Sequence, residues 1–412
     1  MADKKSTSYP KEKINILFLE NISKSAVKKF VDAGYTSVRH VPGALSEKEL
    51  IKEIKNVHLL GIRSKSKITS EVLNNAARLQ AIGCFCIGVN QVDIPSATRK
   101  GVTVFNAPYS NTRSVAELVI ASSIMLIRKI PDKNRAAHEG IWLKDSAGSH
   151  ELRGKTLGII GYGNIGSQVS VLAESLGMKV IFYDIETKMP LGNAEDKSSL
   201  KEVLRLSDVI TLHVPDLPTT RNMINKATLK YCKPNAMLIN YARGQVIDIP
   251  ALKNALVSHE LGGAAIDVYP SEPQKNGDPF VTPLQGLSNV ILTPHIGGST
   301  EEAQMNIGED VSAKLFNFLE KGITTGSHTI PALSLPPQEG THRILHIHNN
   351  VPGVLSEINT KLSSHKINIL AQYLKTNDDI GYVVLDVSKN ISGNAMELLK
   401  KVKETIKVRL LY

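Results

Sequence analysis

The sequence predicts an α/β protein of three parts: a doubly wound parallel sheet, a second α/β unit of flavodoxin-like kind, and a small ferredoxin-like βαββαβ unit. Three observations predict it. Short apolar runs alternate with helical segments twice, over residues 12–110 and again from Lys155 onward. A glycine-rich turn at 161–166 joins a strand-like run to a helical one. After a proline-punctuated stretch, residues 344–411 run strand, helix, strand, strand, helix, strand.

In the first series, residues 14–19 read as a strand and 23–33 as a helix stopped by Gly34. Residues 46–54 read as a helix opened by a capping box of Ser46 and Glu49. Runs 57–62, 79–82 and 103–105 are further strands. Residues 110–130 form a long helical pattern with a second candidate box, Ser114 and Glu117, ended by Pro131. The second series places strands at 156–160, 180–183, 209–212, 237–240, 264–268 and 290–292. A helix over 300–321 follows. Residues 330–340, with Pro331, Pro336 and Pro337, have a linker's composition. The last unit places strands at 344–348, 367–374, 382–387 and 406–411 and helices at 352–364 and 395–403, with Pro352 in a first helical turn.

Composition narrows the function classes. Of 412 residues, 42% are hydrophobic and 21% charged, which excludes a disordered or collagenous chain. The longest apolar stretch, 118–127, is half the length of a membrane span and contains Ser122 and Ser123. Asp3, Lys4 and Lys5 are followed by no leader-like apolar run, so no membrane association and a cytoplasmic location are expected. Cys84, Cys86 and Cys232 frame no disulfide scaffold and lack zinc-ligand spacing. They are read as reduced thiols, Cys84 and Cys86 in the core, with no metal site. The net charge of +10 is spread along the chain and only 5% of residues are aromatic, so no nucleic-acid partner is expected. The excess suits small anions.

The glycine turn carries the strongest local signal. Thr156-Leu157-Gly158-Ile159-Ile160 feeds Gly161-Tyr162-Gly163-Asn164-Ile165-Gly166, a helix leaves it, and a second strand ends in Asp184. Gly161 permits the tight turn, Gly163 lets the backbone approach a pyrophosphate, and Gly166 lets helix pack on strand. The helix start offers free N–H groups to phosphate. Asp184 can accept hydrogen bonds from ribose hydroxyls and repels a 2′-phosphate, so NAD is expected rather than NADP.

Three polar residues follow consecutive later strands: Arg243 in Asn240-Tyr241-Ala242-Arg243-Gly244, Glu272 in Tyr269-Pro270-Ser271-Glu272, and His295 in Thr293-Pro294-His295-Ile296. Ligands of open α/β sheets lie beyond the carboxyl ends of strands. A guanidinium offers a planar fork to a carboxylate and its α-oxygen. An imidazole can take a hydroxyl proton as hydride leaves. A carboxylate beside it fixes the tautomer. The set suits oxidation of a 2-hydroxy acid.

These motifs, with Ala81-Ile82-Gly83-Cys84-Phe85-Cys86-Ile87-Gly88, the run 105–117 that includes Asn106, Asn111, Arg113 and Glu117, and Pro294-His295-Ile296-Gly297-Gly298, resemble the D-isomer-specific 2-hydroxyacid dehydrogenase family over nearly the whole chain. The resemblance implies an Arg243–Glu272–His295 triad with His295 as proton donor in the reductive direction. It also implies NAD contacts at Asn164, Ile165, Asp184, Tyr241, Ala242, Arg243, Asp267, His295, Ile296, Gly297 and Gly298. It implies a discontinuous substrate domain, 1–110 with 299–330, around an NAD-binding domain of Rossmann type at 111–298. A linker at 331–341 and a regulatory ACT domain at 342–412 complete the chain.

The resemblance further implies oxidation of 3-phosphoglycerate to 3-phosphohydroxypyruvate, at the first step of L-serine biosynthesis, with reduction of 2-oxoglutarate to 2-hydroxyglutarate as a second activity. Arg63, Ser64 and Lys65, with Asn111, Arg113 and Lys144, would meet the substrate and its phosphate. Relatives often carry arginine where Lys65 stands, and lysine is a point charge without the fork. The ACT unit would bind L-serine as feedback inhibitor between two such domains, through His348, Asn350 and Asn368, in a homotetramer. The only tryptophan, Trp142, is either core or an oligomer anchor. Rival readings are another substrate (D-glycerate, D-lactate or 2-hydroxyglutarate) or a dinucleotide-sensing corepressor.

Overall fold

The structure, a computed structural model, describes residues 10–273, 277–338 and 340–411. Asp3, Lys4 and Lys5 lie outside the described residues. The chain divides into two compact units, Met1–Ser110 with Gln304–Tyr412, and Asn111–Ala303.

The first unit holds a five-stranded parallel sheet. Its strands are β1 (Ile16–Phe18), β2 (Val38–His40), β3 (Leu59–Ile62), β4 (Ala81–Cys84) and β5 (Thr103–Asn106), in the flavodoxin-like order β2-β1-β3-β4-β5. Strands buried on both faces read as continuous apolar runs, which is why four of the five stand out in the sequence. β2, Val-Arg-His, is a half-exposed edge with no such run. The capping box of Ser46 and Glu49 forms and opens the helix Glu47–Glu53. One face packs Phe18, Phe30, Phe85 and Phe105 against Ile307, Val311 and Leu315 of the helix Glu301–Lys321. Phe18 lies with its ring centre 5.5 Å from that of Phe30 and 5.8 Å from that of Phe85, the tilted and edge-on pairings that aromatic quadrupoles favour. Cys84 is buried, as expected, and burial holds its thiol well above the usual range. Burial also pushes the Cys86 thiol up, to about 11.

The second unit holds a seven-stranded parallel sheet. Its strands are β6 (Thr156–Ile160), β7 (Lys179–Tyr183), β8 (Glu195–Asp196), β9 (Val209–Leu212), β10 (Ala236–Asn240), β11 (Leu261–Ile266) and β12 (Val290–Leu292). The order β12-β11-β10-β9-β6-β7-β8 reverses direction between β6 and β9, a topological switch point. The predicted helix over 110–130 ends earlier, as Thr112–Ile127. Lys129 turns the chain at φ 54, and Pro131 opens the next helix, Ile130–His138, instead of ending the first. The candidate box of Ser114 and Glu117 does not form. Asn111 precedes the helix, Ser114 Oγ bonds Thr300 Oγ1 at 2.8 Å, and Glu117 pairs with Arg113. Trp142 is 84% exposed, which removes the core reading.

The C-terminal sheet belongs to the first unit and is antiparallel: β13 (His342–Asn349), β14 (Ile369–Thr376), β15 (Ile380–Val387) and β16 (Thr405–Leu411), ordered β14-β15-β13-β16. With the helices Val354–Ser364 and Ser392–Lys400 this is the expected βαββαβ order. Pro352 lies outside its helix, before Gly353, which caps at φ 94. The helices cover one face through Ile344, Ile358, Leu385 and Leu399. Ile330 and Leu335 of the proline-rich stretch pack on the other face, against Leu345, Ile347 and Tyr382.

Polar side chains seat this sheet on the rest of its unit. Lys407 Nζ donates to the carbonyls of Leu79 at 2.6 Å and Gly101 at 3.3 Å, and Arg409 donates to those of Leu319 and Phe318 at the end of the helix Glu301–Lys321. Arg343, fully buried, forks onto Asp386 at 2.7 and 2.8 Å. Among the described residues no helix is long and apolar enough to cross a membrane.

Candidate active site

The glycine turn performs three separate tasks. Gly161 sits at φ 92, and a Cβ there would lie 2.8 Å from the backbone carbonyl of His213. Only glycine adopts that conformation in that space. A Cβ on Gly166 would lie 2.3 Å from the Gly161 carbonyl oxygen, so its absence lets the helix Asn164–Ser175 close on the turn. Around Gly163 the space is open, with no atom within 4 Å of where a Cβ would stand. Gly163 is also the N-cap of that helix and supplies no side-chain cap, so the first N–H groups face outward uncapped. An open backbone approach and uncapped amides fit a pyrophosphate.

The acid after β7 is held in place by the turn. Asp184 Oδ2 accepts the Tyr162 N–H at 2.7 Å and Oδ1 accepts the Glu186 N–H at 3.0 Å. Each oxygen retains a lone pair for a ribose hydroxyl. Tyr162, buried, stacks on Phe182 at 3.9 Å and fixes the turn from beneath.

Arg243, Glu272 and His295 converge beyond the ends of β10, β11 and β12. His295 Nδ1 lies 2.8 Å from Glu272 Oε2, and Glu272 Oε1 accepts the Tyr269 N–H at 3.1 Å. The Glu272 carboxylate holds the imidazole above its ordinary pKa, with burial acting the other way. Burial would raise Glu272, but the hydrogen bonds from His295 and the Tyr269 N–H outweigh it and leave the carboxyl lowered. With Glu272 ionised the shared proton sits on Nδ1, and Nε2 carries the lone pair. The charge of Arg243 acts on both partners and lowers both. Its Nη1 donates to the Ala242 carbonyl at 2.7 Å. A Cβ on the next residue, Gly244, would stand 2.1 Å from the Tyr269 backbone, so this glycine sets the arginine turn against the segment that carries Glu272.

His295 sits at φ 56, an uncommon backbone for a non-glycine residue. Asp267 maintains it. Buried, it accepts Thr293 Oγ1 at 2.6 Å and the Ile296 N–H at 2.8 Å on Oδ1, and the Gly297 N–H at 2.8 Å on Oδ2. Both oxygens are thus engaged in shaping the His295–Gly298 loop. Sequence reading assigns Asp267 only a cofactor contact and misses Thr293. It also misses Ser122, whose hydroxyl bonds Tyr241 at 2.5 Å.

The remaining expected residues belong to two different units. Arg63 is half-buried and Ser64 and Lys65 exposed on the loop after β3, in the first unit. Asn111, Arg113 and Lys144 belong to the second. Asn111 flanks Gly298, where a Cβ would come 2.2 Å from its Nδ2, and Arg113 is paired with Glu117 at 2.6 Å. Lys144 lies exposed beyond Trp142.

In the C-terminal sheet, His348 pairs with Gly381 at the start of β15, and Asn350 donates to the Asn377 carbonyl at 2.7 Å. Asn368 precedes β14, whose Ile369 pairs with Val387 at the far end of β15. Six residue steps along the strand, from 381 to 387, separate the two ends, roughly 20 Å. One chain therefore does not bring His348 and Asn368 together.

Comparisons with known proteins identify what the chain is similar to. Residues 120–297 match the family described as D-isomer specific 2-hydroxyacid dehydrogenase, NAD binding domain, and residues 344–409 match an AHAS small subunit-like ACT domain. The chain is 50% identical over 407 residues to D-3-phosphoglycerate dehydrogenase of Escherichia coli strain K12, covering 98% of this chain and 99% of that one. It is 49% identical to the protein of that name from Dictyostelium discoideum, covering 99% of each. Among solved structures it resembles a D-lactate dehydrogenase from Aquifex aeolicus in complex with NAD and lactic acid, with a TM-score of 0.67 and 29% identity over 77% of this chain and all of that one.

Proposed function

The chain belongs to the D-isomer specific 2-hydroxyacid dehydrogenase family and is an NAD-dependent dehydrogenase, and on that premise we propose that it oxidises 3-phospho-D-glycerate to 3-phosphohydroxypyruvate, the first step of L-serine biosynthesis. The observation that carries the chemistry is the His295–Glu272 pair beside Arg243.

When bound, NAD supplies the nicotinamide carbon that accepts a hydride. Gly161, Gly163 and the N–H groups of Asn164 and Ile165 would hold its pyrophosphate, and Asp184 its ribose. The residues of the chain do the rest. Arg243 fixes the substrate carboxylate and polarises its α-oxygen. His295 Nε2 takes the hydroxyl proton as the C–H bond breaks, and Glu272 stabilises the resulting imidazolium. In reverse, the same imidazolium protonates the carbonyl oxygen. Arg63, Lys65, Arg113 and Lys144 are the cations proposed for the phosphate, with Ser64 and Asn111 as further donors. Because Lys65 is a point charge, a carboxylate satisfies it as well as a phosphate does, so reduction of 2-oxoglutarate is proposed as a second activity.

L-serine is the proposed effector. His348 and Asn350 lie at one end of their sheet and Asn368 at the other, so a complete site needs a second copy of the chain. Ile141, Trp142 and Leu143, all exposed, form an apolar triplet suited to a subunit contact, and a homotetramer is the proposed assembly. NADH formation from 3-phosphoglycerate, D-glycerate and D-lactate, with and without L-serine, tests the reading. Preference for the phosphorylated acid and inhibition by serine support it. No turnover of any acid would favour a dinucleotide-sensing binding protein.

A further inference from the structure

The basic run Arg63-Ser64-Lys65-Ser66-Lys67 lies in a loop, and loops do not hold cations in register unless something holds the loop. The holder comes from a distant part of the sequence, just past β1. Glu20 is only 7% exposed, and its two carboxylate oxygens accept the backbone N–H groups of Lys65 at 2.9 Å and Ser66 at 2.7 Å. Hydrogen bonds from N–H groups to an ionised acceptor are the strong class.

Two features mark Glu20 as more than a packing residue. It sits at φ 63 and the next residue, Asn21, at φ 52, so two successive non-glycine residues occupy the left-handed region. Such backbone persists only where the surroundings over-determine it, and it concentrates at functional sites. The loop is also gripped by a second residue. Gln91, 3% exposed, donates its side-chain amide to the Arg63 carbonyl at 2.9 Å and to the Gly88 carbonyl at 3.3 Å, and its main-chain carbonyl accepts the Ile68 N–H at 2.8 Å.

The two grips consume main-chain groups of residues 63, 65, 66 and 68 and leave the cationic ends of Arg63 and Lys65 out of the holding. The loop N–H groups of Lys65 and Ser66 point inward to Glu20, so an anion outside the loop meets side-chain charge, not a nest of amides. We propose that Glu20, supported by Gln91, is a positioning residue for substrate specificity. It fixes the loop so that Arg63 and Lys65 meet the distal anionic group of the substrate. This rests on the phosphorylated-substrate reading above.

The test measures kcat and KM separately for 3-phosphoglycerate and for D-glycerate, in wild type, Glu20→Gln and Gln91→Leu. The amide introduced by Glu20→Gln can accept one of the two N–H groups and opposes the other. Loss of one charge-assisted hydrogen bond corresponds to about a tenfold change. The expected result is a KM for 3-phosphoglycerate raised about tenfold in Glu20→Gln and about threefold or more in Gln91→Leu, whose lost bond is a neutral one, with kcat and the KM for NAD within about twofold. D-glycerate kinetics should stay unchanged. If the residue merely stabilised the fold, its loss would impair turnover of both substrates together, and that outcome, or no change with either, overturns the proposal while leaving the substrate reading intact. A wild type with no preference for the phosphorylated acid overturns both. Should Glu20→Gln fail to fold, Gln91→Leu alone decides, since it releases the same loop at Arg63.

Discussion

Glu272 and His295 face each other at 2.8 Å, and the carboxylate is itself anchored on the Tyr269 N–H, so the imidazole has one orientation and one tautomer. The pairing raises the imidazole's pKa and directs its Nε2 away from the acid. A proton acceptor with its tautomer already set loses no time or free energy to reorientation during reaction.

The first prediction follows from the sign of that shift. Oxidation needs His295 neutral, so its rate falls on the acid side of the raised pKa. Glu272→Gln removes the carboxylate and lets the pKa drop toward the ordinary histidine value. The acid limb of kcat/KM for oxidation should move to lower pH. In reduction, which needs the imidazolium, the alkaline limb should move to lower pH as well. His295→Ala should cost about 10²–10⁴ in kcat while NAD binding persists. A pH profile unmoved by Glu272→Gln contradicts the pairing's role.

The second concerns Asp184, whose carboxylate bonds the Tyr162 N–H at the head of the glycine turn. Asp184→Ala removes both the ribose acceptor and the charge that repels a 2′-phosphate. The ratio of kcat/KM for NAD over NADP should narrow by about tenfold or more, since about 1.4 kcal/mol of lost discrimination is one decade. An unchanged ratio refutes the ribose assignment.

The third separates two glycines that look alike in the sequence. Gly166→Ala places a Cβ against a backbone oxygen at 2.3 Å and should lower stability by about 1–3 kcal/mol, visible as a reduced Tm without cofactor. Gly163→Ala meets nothing within 4 Å and should leave the Tm unchanged, yet weaken NAD binding in a titration because its methyl fills the approach to the pyrophosphate. Equal effects of the two on Tm contradict this division of labour.

The fourth is a pH dependence of the C-terminal sheet. Burial, and then the neighbouring His348, hold His346 down at about 3, from an ordinary 6.5. The unfolded chain binds a proton there that the native sheet refuses, so stability is complete above about pH 6.5 and falls as pH drops toward 3, by up to about 1.4 kcal/mol per unit. Hydrogen exchange in β13 and β15 measured at pH 7 and pH 5 should show the loss, and His346→Gln should flatten it.

What the sequence makes legible is what local physics encodes. Parallel strands buried on both faces stand out as apolar runs, and the turn at 161–166 declares itself through glycines with distinct steric tasks. β2 stays hidden because an edge strand of Val-Arg-His needs no apolar run. Pro131 misleads because the same ring that ends one helix is favoured in the first turn of another. Glu20, Gln91 and Thr293 escape for a different reason. Each acts through a partner distant in the chain, as Glu20 does through Lys65, 45 positions on, and no residue pattern announces such a pairing. Asp267 is legible, but its engagement with the His295 loop appears only once β11 and β12 lie side by side.

On the proposed two-copy effector site, an inhibitor gripped by His348 and Asn350 of one copy and by Asn368 of another would read crowding as well as its own abundance. Dilution past the point where copies part would release the brake while each separated chain kept its catalytic groups. Sensitivity to the end product would then scale with how much enzyme the cell has made, so the brake bites hardest where capacity is greatest.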